Sequence, residues 1–297
     1  MDKFLDAHPD DLRWEHSMGN GVDQIQLHFV RQGKGNPILL LHGWPGFWYD
    51  WRRIIPRLAE NFDVIAPDFR GFSLSDKPDL PPDQGYTLQI FMEDILALLE
   101  HLKIPSIQIV AHDIGALVAQ KLAHAHPEKV QRLILLNPPY GGIGNRWNEA
   151  SLQKEFWFLH FHRLPWSDQL ISYDWVTTHL YLSHFYKYWL AQKQNLRSKE
   201  FEWIVEIFCR TGMFRTSIGL HRAQAEKSFV ENIPLISQAT TILWGKATPI
   251  LPFQWSDRLS EYFSKFKLYP LEGVGHFVPL EAPEEIIRAV FQNFSQS

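Results

Sequence analysis

Short apolar runs alternate with amphipathic stretches through the first half of the chain. Ile25–Val30 and Ile38–Leu41 read as strands. Trp48–Leu58 is amphipathic, and Val64–Ile65 is a short strand closed by Ala66-Pro67-Asp68. Leu88–Leu102 carries apolar residues at helical spacing. Ile107–Val110 is a further apolar run, and Ile114–His126 predicts a helix that stops near Pro127. Leu133–Leu136 reads as a buried strand closed by Asn137-Pro138-Pro139. Continuous apolar strands between helices point to a parallel sheet covered on both faces.

The rhythm then changes. From Pro138 to about Lys227 no strand alternates with the helical pattern, and the stretch is polar and aromatic. Alternation resumes at Thr240–Leu243 and continues through Trp255–Phe263, Lys267–Tyr269 and Pro283–Phe294. The expectation is an α/β core of residues 1–137 and 228–297, with a helical cap, residues 138–227, inserted at an exposed loop.

Composition narrows the function. The chain has 297 residues, 45% hydrophobic and 21% charged, which excludes a disordered or collagen-like protein. A net charge of -4 argues against nucleic acid or an anionic membrane as a partner. The apolar runs are far shorter than a membrane span. The start, MDKFLDAHPDD, shows no basic and apolar leader, and the single cysteine, Cys209, cannot form an internal disulfide. These features lead to the expectation of a soluble cytoplasmic protein. His124 and His126, like His160 and His162, are two apart on predicted helices and share no face, so no metal is expected. Neither GxGxxG nor a P-loop is present, and no cofactor is implied.

Three motifs fall at the ends of predicted strands: Leu41-His42-Gly43-Trp44-Pro45-Gly46, Ala111-His112-Asp113-Ile114-Gly115, and Gly275-His276-Phe277. The second has the small-x-nucleophile-x-small form of a strand–turn–helix elbow, which lifts its central side chain above the sheet. That central residue is Asp113. The string Gly71-Phe72-Ser73-Leu74-Ser75 lacks the second small Gly and the elbow setting.

With HGWPGFWYDWR from His42, APDFRGFSLSDKP from Ala66, AHDIGA from Ala111 and VGHF from Val274, nearly the whole chain resembles the α/β-hydrolase superfamily. The resemblance is to its aspartate-nucleophile branch of epoxide hydrolases and dehalogenases. It implies an α/β-hydrolase fold with a mostly parallel sheet. A carboxylate can displace a leaving group at a saturated carbon to give an alkyl ester, which water then cleaves. Asp113 would be the nucleophile and His276 the base for the water. The resemblance places the oxyanion hole at the backbone N–H groups of Trp44 and Ile114. His42 and His112 are expected to pack and hydrogen-bond around the elbow, His42 within reach of substrate.

The chain departs from the family pattern in three places. The acid that orients the histidine is absent after strands six and seven, where Asn137 and Thr248 stand. Asn137 is expected to hold the ring of His276 through its amide oxygen, with slow ester hydrolysis as the consequence. Glu272, Asp257 and Glu281 are the other acids considered. In the cap, alignment places Phe158 and His221 where the family usually has two proton-donating tyrosines, and a slip would bring His160 into the first position. Some atypical epoxide hydrolases pair a histidine with a tyrosine, so His221 is a candidate donor. Finally, Ile114 carries neither the tryptophan nor the arginine of dehalogenases, leaving Trp44 and Trp157 as N–H donors for a halide.

The favoured function is hydrolysis of a small, mostly apolar electrophile, an epoxide first. A haloacid or haloalkane dehalogenase is the alternative, and a catalytically weak ligand-binding derivative of the fold the second. Eighteen of the 42 aromatic residues lie in residues 138–227, which fits an aromatic-lined pocket, helix packing, or a homodimer surface around Trp175–Trp189.

Overall fold

The computed structural model describes residues 7–223 and 235–294. The expected boundary of the cap near Lys227 lies outside the described residues. Eight strands form one sheet: β1 (His16–Asn20), β2 (Gln26–Gln32), β3 (Asn36–Leu41), β4 (Phe62–Pro67), β5 (Ile107–His112), β6 (Val130–Leu136), β7 (Ala239–Gly245) and β8 (Phe266–Leu271). Their spatial order is β1-β2-β4-β3-β5-β6-β7-β8. The pairs β1–β2 and β2–β4 are antiparallel, and the other five pairs are parallel.

The central strands form where the chain offers unbroken apolar runs. Ile38 to Leu41 are wholly buried, as are Ile107 and Ile109 to Ala111. β1 was not expected from the sequence. His16-Ser-Met-Gly-Asn20 has no apolar run because it is an outer strand held by its antiparallel ladder to β2.

Helix α1 (Leu88–His101) begins where the Thr87 hydroxyl accepts the N–H of Ile90, and it buries Phe91, Met92, Ile95, Leu98 and Leu99 along one face. It packs against α2 (Ile114–Ala125), which also covers β3, β5 and β6. The amphipathic stretch from Trp48 is not one helix. It forms a 3-10 turn, Trp48–Trp51, and a helical turn, Ile55–Leu58, because Pro56 has no N–H with which to continue a helix. Likewise Phe253–Glu261 is a kinked run of 3-10 turns.

Between β6 and β7 the described elements are all helical. They include α3 (Trp157–His162), α4 (Trp175–Trp189), α5 (Ser198–Phe208) and α6 (Gly219–Ala223). The last helix, α7 (Pro283–Phe294), packs on β6 and β7. Among the described residues no helix is long and apolar enough to cross a membrane.

Parallel pairing sets the C-terminal ends of the strands side by side. Leu41 pairs with Ala111, His112 with Leu136, and Leu136 with Leu243. The loops that follow therefore converge on one edge of the sheet, where such folds bind ligands. The helical segment is fastened over this edge. Glu200 of α5, itself buried, accepts from Arg52 Nε at 2.9 Å and Arg53 Nη2 at 3.2 Å. The Tyr186 hydroxyl donates to the Pro45 carbonyl at 2.9 Å, and His276 N–H to the Trp189 carbonyl at 2.8 Å. Removing Glu200 would strand the buried Arg52 charge, at about 3–5 kcal/mol.

Candidate active site

At the junction of β5 and α2 the backbone turns through Asp113 with φ 49° and ψ -119°. This left-handed conformation is costly for a residue with a side chain, and it persists because the neighbouring strands fix it. The turn is possible only with small neighbours. A Cβ on Gly115 would lie 2.5 Å from the carbonyl oxygens of Leu41 and His42, and one on Gly43 would lie 2.7 Å from Asp113 Cβ.

The Asp113 carboxylate receives two backbone donors. Trp44 N–H donates to Oδ2 at 3.0 Å, and the Ile114 N–H, at the free end of α2, is the second. Burial pushes the carboxyl up to about 6, against the pull of these two hydrogen bonds. The result is a carboxylate ionised at neutral pH but held in a nearly dry site.

His42 stands beneath this loop. Its Nδ1 donates to the Gly43 carbonyl at 2.9 Å, and its Nε2 accepts from Phe69 N–H at 3.2 Å. It supports the Gly43-Trp44 loop and does not line the cavity above, contrary to its expected place near substrate. His112 Nε2 donates to the carbonyl of His276 at 2.9 Å, and burial pulls its ring down to about 4, so it is neutral.

The His276 ring is fully buried, 4.8 Å from that of His112 and 5.0 Å from that of Trp189 between centroids. Burial holds it well below the usual histidine range. Neither of its ring nitrogens has a hydrogen-bond partner among the described residues. Asn137 reaches this loop by a different route from the one expected. Its Nδ2 donates to the carbonyls of Gly275 (3.0 Å) and His276 (2.9 Å), while Oδ1 accepts Gly245 N–H at 2.8 Å. The side chain thus clamps the backbone after β6, β7 and β8, and its oxygen is not free for the ring. The alternative acids are also engaged. Glu281 accepts from Gly275, Ala191 and Gln192 N–H groups. Glu272 pairs with Lys246 and Asp257 with Arg146.

Above Asp113 lies a cavity of about 40 Å³ lined by Trp44, Phe158, Trp189 and His221 together with Asp113 and Ile114. Phe158 stacks on Trp44 with ring centroids 5.5 Å apart, and the His221 ring is 5.2 Å from that of Trp44. The indole N–H of Trp44 is buried without a partner among the described residues. Two residues expected here sit elsewhere. His160 is exposed and reaches Gln153 Oε1 at 3.4 Å. Trp157, 37% exposed, packs on the outer faces of Tyr181 and His184.

Sequence reasoning missed two polar groups behind the cavity wall. His162 Nδ1 meets His221 Nδ1 at 2.9 Å, and His162 Nε2 meets the Tyr181 hydroxyl at 2.7 Å. A signal for His162 was available, since it lies four residues after Phe158 and so shares its helix face. Tyr181 carried none, being one of many aromatics in α4. Among the described residues no group of three or more His, Cys, Asp or Glu is placed to hold a metal ion.

The α/β-hydrolase fold family matches residues 36–283 of this chain. The chain belongs to that family. A relative, the soluble epoxide hydrolase of Corynebacterium sp. (strain C12), is 31% identical over 288 residues, covering 92% of this chain and 95% of its own. Epoxide hydrolase 4 of Homo sapiens is 26% identical, over 90% of this α/β hydrolase and 75% of its own length. Among solved structures, the epoxide hydrolase CorEH without ligand superposes with a TM-score of 0.81 at 26% identity, covering 94% of this chain and 98% of the other. This α/β hydrolase is therefore an enzyme by kinship.

Proposed function

We propose that this enzyme is an epoxide hydrolase working through an ester on Asp113. The observation that carries the reading is a buried carboxylate at a strand–helix elbow, held by two backbone N–H groups in a cavity that also presents His221. An Asp113 oxygen attacks a ring carbon, the C–O bond breaks, and the oxygen takes a proton from His221. Water then attacks the ester carbonyl while His276 removes its proton. The oxyanion forms where the Trp44 and Ile114 N–H groups already point. Collapse releases the diol and the carboxylate, and the proton held by His276 replaces the one His221 gave. No cofactor takes part.

The surroundings suit a small apolar substrate. Trp44, Phe158 and Trp189 exclude water from the carboxylate. The cavity of about 40 Å³ suits only a small substrate. With no carboxylate against the His276 ring among the described residues, imidazolium is poorly stabilised and ester hydrolysis is the slower half-reaction.

The test is a panel of small epoxides with the wild type, Asp113→Asn and His276→Gln, followed by product analysis and intact mass. Wild type is expected to yield diol and a quenchable adduct, His276→Gln adduct alone, and Asp113→Asn neither. Diol formation that survives Asp113→Asn would end this reading. The Trp44 indole N–H, buried without a partner among the described residues on a side chain that lines the cavity, supports a second one, dehalogenation, because such a donor can bind a departing halide. Halide release from haloalkanes or haloacetates in the same panel would establish it.

A further inference from the structure

We infer that Tyr181 and His162 act as positioning residues that fix His221 in the tautomer whose proton sits on Nε2, the nitrogen left free for the substrate. The inference rests on the reading of His221 as the proton donor, and it concerns two residues that do not line the cavity.

The three side chains form one hydrogen-bonded line. It runs from the Tyr181 hydroxyl to His162 Nε2 at 2.7 Å, and from His162 Nδ1 to His221 Nδ1 at 2.9 Å. All three residues are buried, and the two imidazoles lie parallel with centroids 5.1 Å apart. Burial keeps each group uncharged. It pulls His221 down to about 3 and His162 well below its usual range, and it pushes the Tyr181 phenol upward. The nearby Arg222 and Arg163 guanidiniums add to the pull on the histidines.

Neutral imidazoles each carry one proton, so a contact between two Nδ1 atoms must hold one proton and not two. Two arrangements satisfy it, and the tyrosine decides between them. Among the described residues the Tyr181 hydroxyl has one partner, His162 Nε2. If the hydroxyl donates there, His162 carries its proton on Nδ1 and donates it to His221 Nδ1. His221 must then carry its proton on Nε2. In the reverse arrangement His162 Nε2 donates to the phenol oxygen, and the hydroxyl hydrogen is left without an acceptor in a buried site, a costly state. The last nitrogen of the line belongs to the ring that lines the cavity with Asp113. A neutral imidazole is a weak acid, so it holds its proton until an alkoxide forms beside it.

His162 is braced for this task from behind. Arg222 Nε donates to its carbonyl at 2.8 Å, and Arg222 Nη2 donates to Asp168 Oδ1 at 2.7 Å. The end of α3 is thereby tied to α6, the helix that carries His221.

The experiment compares wild type with Tyr181→Phe, using protein labelled with 15N-histidine for NMR and rapid-quench single turnovers with a small epoxide. In the wild type the spectra should show His221 protonated on Nε2 and His162 on Nδ1. Tyr181→Phe should turn both into tautomer mixtures and slow ester formation about tenfold, with ester hydrolysis unchanged. His162→Gln, whose amide can still donate to His221 Nδ1, should retain more of the ester-formation rate than His162→Leu. A wild-type spectrum with His221 protonated on Nδ1 would overturn the inference, as would Tyr181→Phe spectra with unaltered tautomers. Equal slowing of both half-reactions would mark a structural effect and overturn it too. Failure of the underlying reading looks different: His221→Phe would open epoxides at the wild-type rate.

Discussion

The strand-end loops and the helical segment supply the chemistry of one cavity in different ways. In the loops, backbone conformation does most of the placing. Asp113 is presented by one strained turn, and its two donors are main-chain N–H groups. A Cβ on Gly115 would meet the Leu41 and His42 carbonyl oxygens at 2.5 Å, and one on Gly43 would meet the Asp113 Cβ at 2.7 Å. In the helical segment, ordinary helices bring side chains together from distant positions. Tyr181 is 19 residues from His162, and His221 is 59 residues from it. Backbone-built sites depend on local spacing, while side-chain-built sites depend on how helices cross.

If that contrast is right, changing the loops should stop one chemical step cleanly. The largest expected effect is at His276. His276→Gln removes the proposed base but keeps the Trp189 contact, which uses the backbone N–H. Ester hydrolysis should fall by about three orders of magnitude, with ester formation within a factor of about two of wild type. Rapid quench and intact mass separate the two. A loss of both steps together would mean that the ring also holds the cavity open, and the contrast would blur.

Next in size is the cost of burying Asp113, the proposed nucleophile. A carboxyl raised from 3.8 to about 6 disfavours folding once it ionises. The shift corresponds to about 3 kcal/mol. The sign follows from proton counts. Between pH 4 and 6 the folded chain binds the extra proton, so stability contributed by this group is greatest below the unfolded value and declines as pH rises through about 6. Asp113→Asn should therefore be the more stable protein at pH 8, by up to about 3 kcal/mol, with the gap closing towards pH 4. Denaturant melts at both values measure it. The same carboxyl should give kcat/KM a rising limb near pH 6, since only the anion attacks.

These two predictions concern residues that were legible in the sequence, and the reason is physical. Asp113, Trp44, Ile114 and His276 each sit in a short string whose small residues report a tight turn. The central strands were legible because burial on both faces demands unbroken apolar runs. β1 was not, since His16–Asn20 gains its structure from pairing rather than from burial. His162 and Tyr181 were hidden among fourteen histidines and nine tyrosines, because only the crossing of α3, α4 and α6 makes them neighbours. Asn137 was legible as a position but not as a contact. Its rotamer turns the amide nitrogen towards two carbonyls, which spacing cannot foretell.

Asn137 tests the loop side of the comparison, since its side-chain hydrogen bonds run to the backbone of Gly245, Gly275 and His276. If it acted as an orienting acid deprived of its charge, Asn137→Asp would restore the charge and speed ester hydrolysis. The contacts predict the opposite. Asp in that rotamer would set an anionic oxygen about 3 Å from the carbonyls of Gly275 and His276, where Nδ2 now donates. The loop carrying His276 would shift, and ester hydrolysis should slow about tenfold, with ester formation little changed. Single-turnover decay of the quenched adduct gives the answer.

The smallest expected effect falls on the face of α3 turned away from the cavity. His160 and His162 are two residues apart on one helix, with the same side chain and opposite surroundings. His160 is exposed and makes one long contact to Gln153, whereas His162 is buried between Tyr181 and His221. His160→Ala should leave both half-reactions within a factor of about two of wild type and stability within about 0.5 kcal/mol. His162→Ala should slow ester formation. If His160→Ala proved the more damaging, the register of α3 would differ by half a turn from the one described, and the histidine line behind the cavity would have to be rebuilt on that other face.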